Sequence, residues 1–174
     1  MCTEKLKSSL RAIPDFPKEG ILFWDVTTMF KDAEALRILS DELYELYKDK
    51  GITKVVGLES RGFIMGPPLA IRLGAGFVMA RKPGKLPAEV VSETYIKEYG
   101  RDTIEIHTDA ISSDDVVLIH DDLLATGGTM AAAVNLVRKF NPKKIYINFN
   151  IEIEGLKGRD LLPADVEITS VIKV

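Results

Sequence analysis

The chain has 174 residues, 46% of them apolar, and a formal net charge of −3. That length holds one domain, 1–174, with a single sizeable core, and its slight acidity leaves no global basic field for a nucleic acid. No apolar run is long enough to span a bilayer, Met1 to Leu10 is polar without a signal-peptide core, and the lone Cys2 excludes an internal disulfide and is expected to be inert, so no membrane partner and a cytoplasmic setting are expected.

Asp32 reads as an N-cap for a helix whose Leu36, Leu39, Leu43 and Leu46 share a face, with Gly51 as its stop. Lys54 to Leu58 is a short buried strand that runs into a loop at Glu59-Ser60-Arg61-Gly62. Phe63 to Leu73 is expected to be helical, with Pro67 and Pro68 confining or bending its first turns. Gly76 to Ala80 is the next apolar strand. From Arg81 to Asp102, Pro83, Gly84, Pro87 and Gly100 interrupt charged and aromatic residues without a sustained period. A long connection of that kind is a lid or an unstructured segment. Alternation resumes at Ile104 to His107, which makes about 81–107 an extended flap with a paired base.

Asp115 to His120 is a third buried strand that ends at Asp121-Asp122, followed by Ala125-Thr126-Gly127-Gly128-Thr129 and a helix over 130–140. The core face of that helix is Ala133, Leu136, Val137 and Phe140, and Asn141-Pro142 closes it. Between Ile145 and Ile153 every odd position is Ile or Phe and the even ones are Tyr, Asn, Asn and Glu, the pattern of a half-buried strand. Strands alternating with helices give an α/β fold with a doubly wound, mainly parallel sheet. Ligands of such sheets bind beyond the carboxyl ends of the strands, which directs attention to residues 59–62 and 121–129.

Two acids at the end of a buried strand are costly unless they meet something polar. The small residues that follow open a helix, whose free N–H groups and dipole favour a phosphate, and Thr126 and Thr129 add hydroxyl donors. Acids for sugar hydroxyls beside a phosphate loop suit a ribose 5-phosphate; the plainer reading is a capped glycine turn. No Gly-Lys-Ser/Thr closes the loop as in a Walker motif, and Gly74 and Gly76 lack the third glycine of a dinucleotide fingerprint because position 79 is Met. His107 and His120, far apart and without cysteine support, do not form a zinc site. His107 is expected to be exposed, and His120 to be a satisfied strand-end histidine, with tuning of Asp121 as the alternative.

The run Asp121 to Thr129 resembles the phosphoribosyl diphosphate signature of the type I phosphoribosyltransferases, and the remainder resembles the adenine phosphoribosyltransferases among them. Ile13 to Asp25 is similar to their N-terminal motif, within a hood of about 1–33. Glu59-Ser60-Arg61-Gly62-Phe63 resembles their diphosphate loop. Arg81-Lys82-Pro83-Gly84-Lys85-Leu86-Pro87 and Glu98-Tyr99-Gly100 resemble the two ends of their flexible flap. Leu156-Lys157-Gly158-Arg159 is similar to the segment after their last core strands.

The resemblance implies transfer of the phosphoribosyl group from phosphoribosyl diphosphate to adenine, giving AMP and diphosphate, by a homodimer using Mg²⁺ held mainly by the diphosphate. It implies Glu98 as the residue that meets the purine as its proton is lost, with Asp121 and Asp122 on the ribose 2- and 3-hydroxyls. Ser60, Arg61, Arg81, Lys82, Lys85 and Tyr99 join Ala125, Thr126, Gly127, Gly128 and Thr129 as the implied phosphoribosyl diphosphate site. Leu22, Phe23, Trp24, Leu123 and Ile153 are the implied adenine site, although Phe23 taken alone reads as a core aromatic. Trp24 stands where the family commonly carries Arg, and Glu19 and Thr28 where it frequently carries proline. Trp24 keeps a 6-oxopurine as the alternative base. A phosphoribosyl-diphosphate-sensing regulator is a further alternative, set against by the retained Glu98 and basic loop.

Overall fold

In the computed structural model, which describes residues 2–97 and 100–174, the expected apolar strands lie side by side. β3 (Lys54–Leu58), β4 (Gly76–Ala80), β7 (Val116–Leu124) and β8 (Lys144–Glu152) form one sheet with β9 (Glu167–Lys173), in the order β4-β3-β7-β8-β9. Every pairing in it is parallel. The chain steps from β3 outward to β4, then returns to the other side of β3 to lay down β7, β8 and β9. The point of reversal therefore lies between β3 and β7, where a doubly wound sheet opens a crevice at its carboxyl edge.

Helices cover both faces. α3 (Ala33–Tyr47) and α4 (Gly62–Leu73) pack on one, with α1 (Cys2–Ser8) beside them, and α5 (Gly128–Arg138) packs on the other. Asp32 caps α3 as expected, accepting from Glu34 N at 3.0 Å and Ala35 N at 3.1 Å. Its buried stripe is Ala35, Leu39, Leu43 and Tyr47, a spacing of four throughout, so Leu36 is only partly covered and Leu46 faces outward. Burying each such leucine is worth about 1.5–3 kcal/mol. In α4, Pro67 and Pro68 sit inside the helix rather than in its first turn. Gly57 and Gly66 leave the space that the Phe77 ring fills.

Three expectations need correction. β8 is buried on both faces, not half-buried, because it lies between β7 and β9 with a core on either side; Tyr146, Asn148, Asn150 and Glu152 are as buried as its apolar residues. β7 runs on to Leu124, so Asp121 and Asp122 belong to the strand. The stretch 81–102 contains β5 (Val90–Lys97), which pairs antiparallel with β6 (Gly100–His107) from Val90↔His107 to Lys97↔Gly100. Pairing thus extends the whole length of this hairpin, and its base packs Val91, Ile104 and Ile106 into the α5 core. Half of β5 is β-branched, Val90, Val91, Thr94 and Ile96, but the surrounding Pro and Gly mask its period. Glu98 and Tyr99, along with the Cys2 side chain, lie outside the described residues.

The N-terminal region adds a small antiparallel pair, β1 (Arg11–Pro14) with β2 (Leu22–Asp25), and the short helix α2 (Thr27–Phe30). Asp25 anchors it, accepting from Thr27 N and Oγ1 at 2.9 and 2.7 Å and from Arg11 Nη2 at 2.5 Å. β9 and α1 carry no expectation from the sequence; Thr169 and Ser170 dilute the apolar pattern of β9.

Candidate active site

At the carboxyl end of β7, Asp122 is buried and Asp121 keeps part of its surface open. The backbone N–H of Asp122 donates to Asp121 Oδ1 at 2.9 Å. Arg61, the residue that precedes α4, brings its Nε to 2.9 Å from Asp122 Oδ2. The N–H of Arg61 is not aligned on that oxygen, which has no hydrogen-bond partner among the described residues. Burial, and then the charge of Asp122, push the Asp121 carboxyl well above its usual range. Burial also raises Asp122, against the opposing pull of Arg61. Both acids line one recess and offer carboxyl oxygens that can accept from hydroxyl groups.

The strand passes into Ala125-Thr126-Gly127, and α5 begins at Gly128. Gly127 has φ 86°, a left-handed conformation that side chains rarely adopt. A Cβ there would collide with the carbonyl oxygen of Gly158, and one on Gly158 would collide with that of Ala125. The segment Leu156–Arg159 therefore backs the loop, backbone against backbone. Arg159 holds the segment down, donating from Nε to Glu152 Oε1 at 2.6 Å, from Nη2 to Oε2 at 2.7 Å, and from Nη1 to Ile168 O at 3.1 Å. The loop's free N–H groups lead into the start of α5, an anion-binding arrangement.

Arg61, Asp121, Asp122, Leu123 and residues 124–130 line one cavity of about 200 Å³, floored by Phe149. A wider cleft of about 430 Å³ lies at the opposite edge of the sheet, between Arg138, Asn141–Ile145 and Asp165. It stands by the amino end of β8, where such sheets do not place their ligands.

The basic residues of the 81–85 turn do not line the cavity. Arg81 donates from Nε to Glu59 Oε2 at 3.2 Å, and the Lys82 N–H donates to the same oxygen at 2.9 Å. These bonds, that of Lys82 first, hold the Glu59 carboxyl below its usual range. Lys82 also pairs with Asp102, and the Lys85 carbonyl accepts from Arg81 Nη1 at 3.5 Å. Ser60, next to Glu59 and joined to it by a cis peptide, is exposed. The turn is thus fastened to the loop that carries Arg61. The hairpin has its own attachment: the Tyr95 hydroxyl lies 3.1 Å from Thr129 Oγ1 and donates to Asp102 Oδ2 at 3.2 Å.

Of the expected base-binding residues, Leu123 lines the cavity and Ile153 donates its N–H to Leu124 O at 3.0 Å. Leu22 is half exposed on β2, while Phe23 meets Phe16 edge-on at 5.1 Å and Trp24 pairs with Ala12; none of the three lines the cavity. His107 is partly buried rather than exposed, and accepts from Ala88 N at 3.4 Å. His120 is only half satisfied: Nδ1 lies 2.9 Å from Asn148 Oδ1, but Nε2 has no partner among the described residues. It sits within β7, not at its end. Sequence reasoning gave no individual role to Glu59, Tyr95, Asp102 or Glu152, because each is marked out only by the partner the fold brings to it: Arg81, Thr129, Lys82 and Arg159 in turn.

A phosphoribosyl transferase domain pattern matches residues 27–153. The adenine phosphoribosyltransferase of Phocaeicola vulgatus is 67% identical over 172 residues, with 99% of each chain covered. Among solved structures, the adenine phosphoribosyltransferase of Rhodothermus marinus superposes with a TM-score of 0.92 at 48% identity, over 99% of this chain and 98% of that one. The Saccharomyces cerevisiae enzyme, solved with an imino-altritol bisphosphate and adenine, has a TM-score of 0.91 at 42% identity, over 98% of each chain.

Proposed function

The chain belongs to the adenine phosphoribosyltransferases, and we propose that the cavity between Arg61 and Thr129 is where it transfers the phosphoribosyl group of phosphoribosyl diphosphate to adenine, giving AMP and diphosphate. The observation that carries this reading is the continuity of the Asp121–Asp122 pair with the Gly127 loop in one recess beside Arg61.

The N–H groups of residues 126–129 and the Thr126 and Thr129 hydroxyls hold the 5-phosphate. Asp121 and Asp122 accept from the ribose 2- and 3-hydroxyls and stabilise the positive charge that develops at C1. The C1–O bond to diphosphate breaks as a purine ring nitrogen bonds to C1, and the proton on the purine passes to Glu98. Ser60, Arg61, Arg81, Lys82, Lys85 and Tyr99 receive the diphosphate, with the cations offsetting its charge. For that, Arg81 and Lys82 exchange their carboxylate partners, Glu59 and Asp102, for phosphate oxygens. The hairpin closes over the reacting centre and excludes water.

Mg²⁺ suits this site as a companion of the diphosphate, since anionic oxygens and the neighbouring carboxylates are the donor types it prefers. When bound, it neutralises charge on the leaving group. Leu22, Phe23 and Trp24 supply the base site together with Leu123 and Ile153, with Phe23 stacked on the purine. We assign a homodimer and a cytoplasmic location; no helix among the described residues is long and apolar enough to cross a membrane.

The test is product formation from phosphoribosyl diphosphate and Mg²⁺ with adenine, hypoxanthine, guanine and xanthine offered separately. AMP from adenine alone, lost without Mg²⁺, is the expected result. Turnover of a 6-oxopurine would mean that Trp24 has reshaped the base site, and no turnover with any base would overturn the reading.

A further inference from the structure

Glu152 ends β8 and is only 5% exposed, yet neither it nor Arg159 lines the recess. Their ion pair is a fork: Arg159 donates from Nε to Oε1 at 2.6 Å and from Nη2 to Oε2 at 2.7 Å. Ser170 on β9 adds its hydroxyl to Glu152 Oε2 at 2.7 Å, and Arg159 Nη1 donates to the Ile168 carbonyl at 3.1 Å. The bonds from Arg159 first, and that from Ser170, hold the Glu152 carboxyl below its usual range against the effect of burial.

A buried ion pair is a poor source of stability, because apolar residues of the same volume often do as well or better. What a fork supplies is direction, since two parallel bonds fix the guanidinium in one orientation. The segment it orients is tight. Lys157 holds φ 50°, a left-handed conformation in a residue that carries a side chain. Gly158 follows, buried, with its backbone against Ala125 and Gly127. A Cβ added to Gly127 or to Gly158 would lie 2.2 Å from a carbonyl oxygen of the other segment, so the contact has no slack. On the neighbouring strand, Leu124 pairs in register with Glu152 and is the residue from which the phosphate loop departs. The fork thus closes a ring: from Glu152 across to Leu124, along the loop to Gly127, onto Gly158, and back through Arg159.

We infer that Glu152 and Arg159 are positioning residues for the 5-phosphate: their fork seats Gly158 against the loop and so sets where the N–H groups of residues 126–129 point. The inference rests on the reading that this loop holds the 5-phosphate. The Arg61 loop and the 81–85 turn, which receive the diphosphate in that reading, lie outside the ring. The two ends of the substrate therefore respond differently to loss of the fork.

The test is a double variant, Glu152→Leu with Arg159→Met, which removes the fork without stranding a charge. Its product-inhibition constant for AMP should rise about tenfold, part of the hundredfold that a misplacement of about 1 Å can cost. The constant for diphosphate should not change. Arg159→Lys keeps the charge but not the fork; it should weaken AMP to the same extent, and it decides the matter if the double variant does not fold. The split between AMP and diphosphate is the deciding readout, because a general loss of structure weakens both. Full AMP affinity in a folded variant, or equal losses for the two products, would overturn the inference. A wild-type enzyme that AMP does not inhibit would instead sink the reading of the loop as the phosphate site.

Discussion

Gly158 is the residue whose substitution has the most specific consequence. It lies 31 positions beyond Gly127, yet the two backbones touch, and a Cβ on Gly158 has only the Ala125 carbonyl to occupy. Gly158→Ala should displace the phosphate loop, lowering stability by about 1–3 kcal/mol and weakening phosphoribosyl diphosphate more than adenine. Thermal unfolding and the two KM values check both parts. Glu98→Ala should reduce kcat by about 10²-fold or more, if this carboxylate takes the purine proton, while leaving the melting temperature unchanged. At this scale the acids, glycines and threonines of 121–129 were legible because they are consecutive. Glu59 and Glu152 were not, because what distinguishes them is a partner 22 residues away in one case and a clamp on Arg159 in the other.

The hairpin is the element that sequence reading resolved least. Its breakers at 83, 84, 87 and 100 point to a loop, and only the register shows how few of them interrupt the paired strands. The Tyr95 hydroxyl is its link to the phosphate loop, through Thr129. Tyr95→Phe should loosen the hairpin by about 1 kcal/mol, seen as roughly fivefold faster amide exchange in β5 and β6 with the central sheet unaffected. Equal exchange in both proteins would refute the link. α3 teaches a related lesson: Leu36 and Leu46 fit a leucine stripe, but the core lies on the side of Ala35 and Tyr47, and a helical period alone does not say which of two adjacent stripes turns inward.

For the whole molecule, the α/β order and the position of the crevice follow from alternating strands and helices, whereas β9 and the polar interior of β8 do not. Its neighbour β7 also buries a polar side chain, His120, which shapes the response to acid. Burial lowers the His120 pKa from 6.5 to about 4. Between those values the unfolded chain takes up a proton that the folded chain refuses, so stability is complete above the unfolded pKa and falls as pH drops through the window. The full effect is roughly 3 kcal/mol. The raised Asp121–Asp122 pair acts in the opposite sense, binding protons in the folded state first. The difference between wild type and His120→Leu, measured by denaturant unfolding from pH 7 to 4, isolates the histidine. It should shift in favour of the variant as pH falls, and a constant difference would contradict the buried neutral ring. Lower still, Asp25, held to about 2 by Thr27 and then Arg11, loses its contribution between about 3.8 and 2.

Arg61 follows β3 and Asp122 lies near the end of β7, strands that pair only after a long stretch of chain has been laid down; Thr53 and Asp115, just before those strands, are 62 residues apart and joined by a 2.7 Å hydrogen bond. The recess is therefore a product of late loop closure, and no fragment with local structure alone contains it. In refolding from denaturant, catalytic activity should return in the slowest phase of sheet formation, never ahead of it.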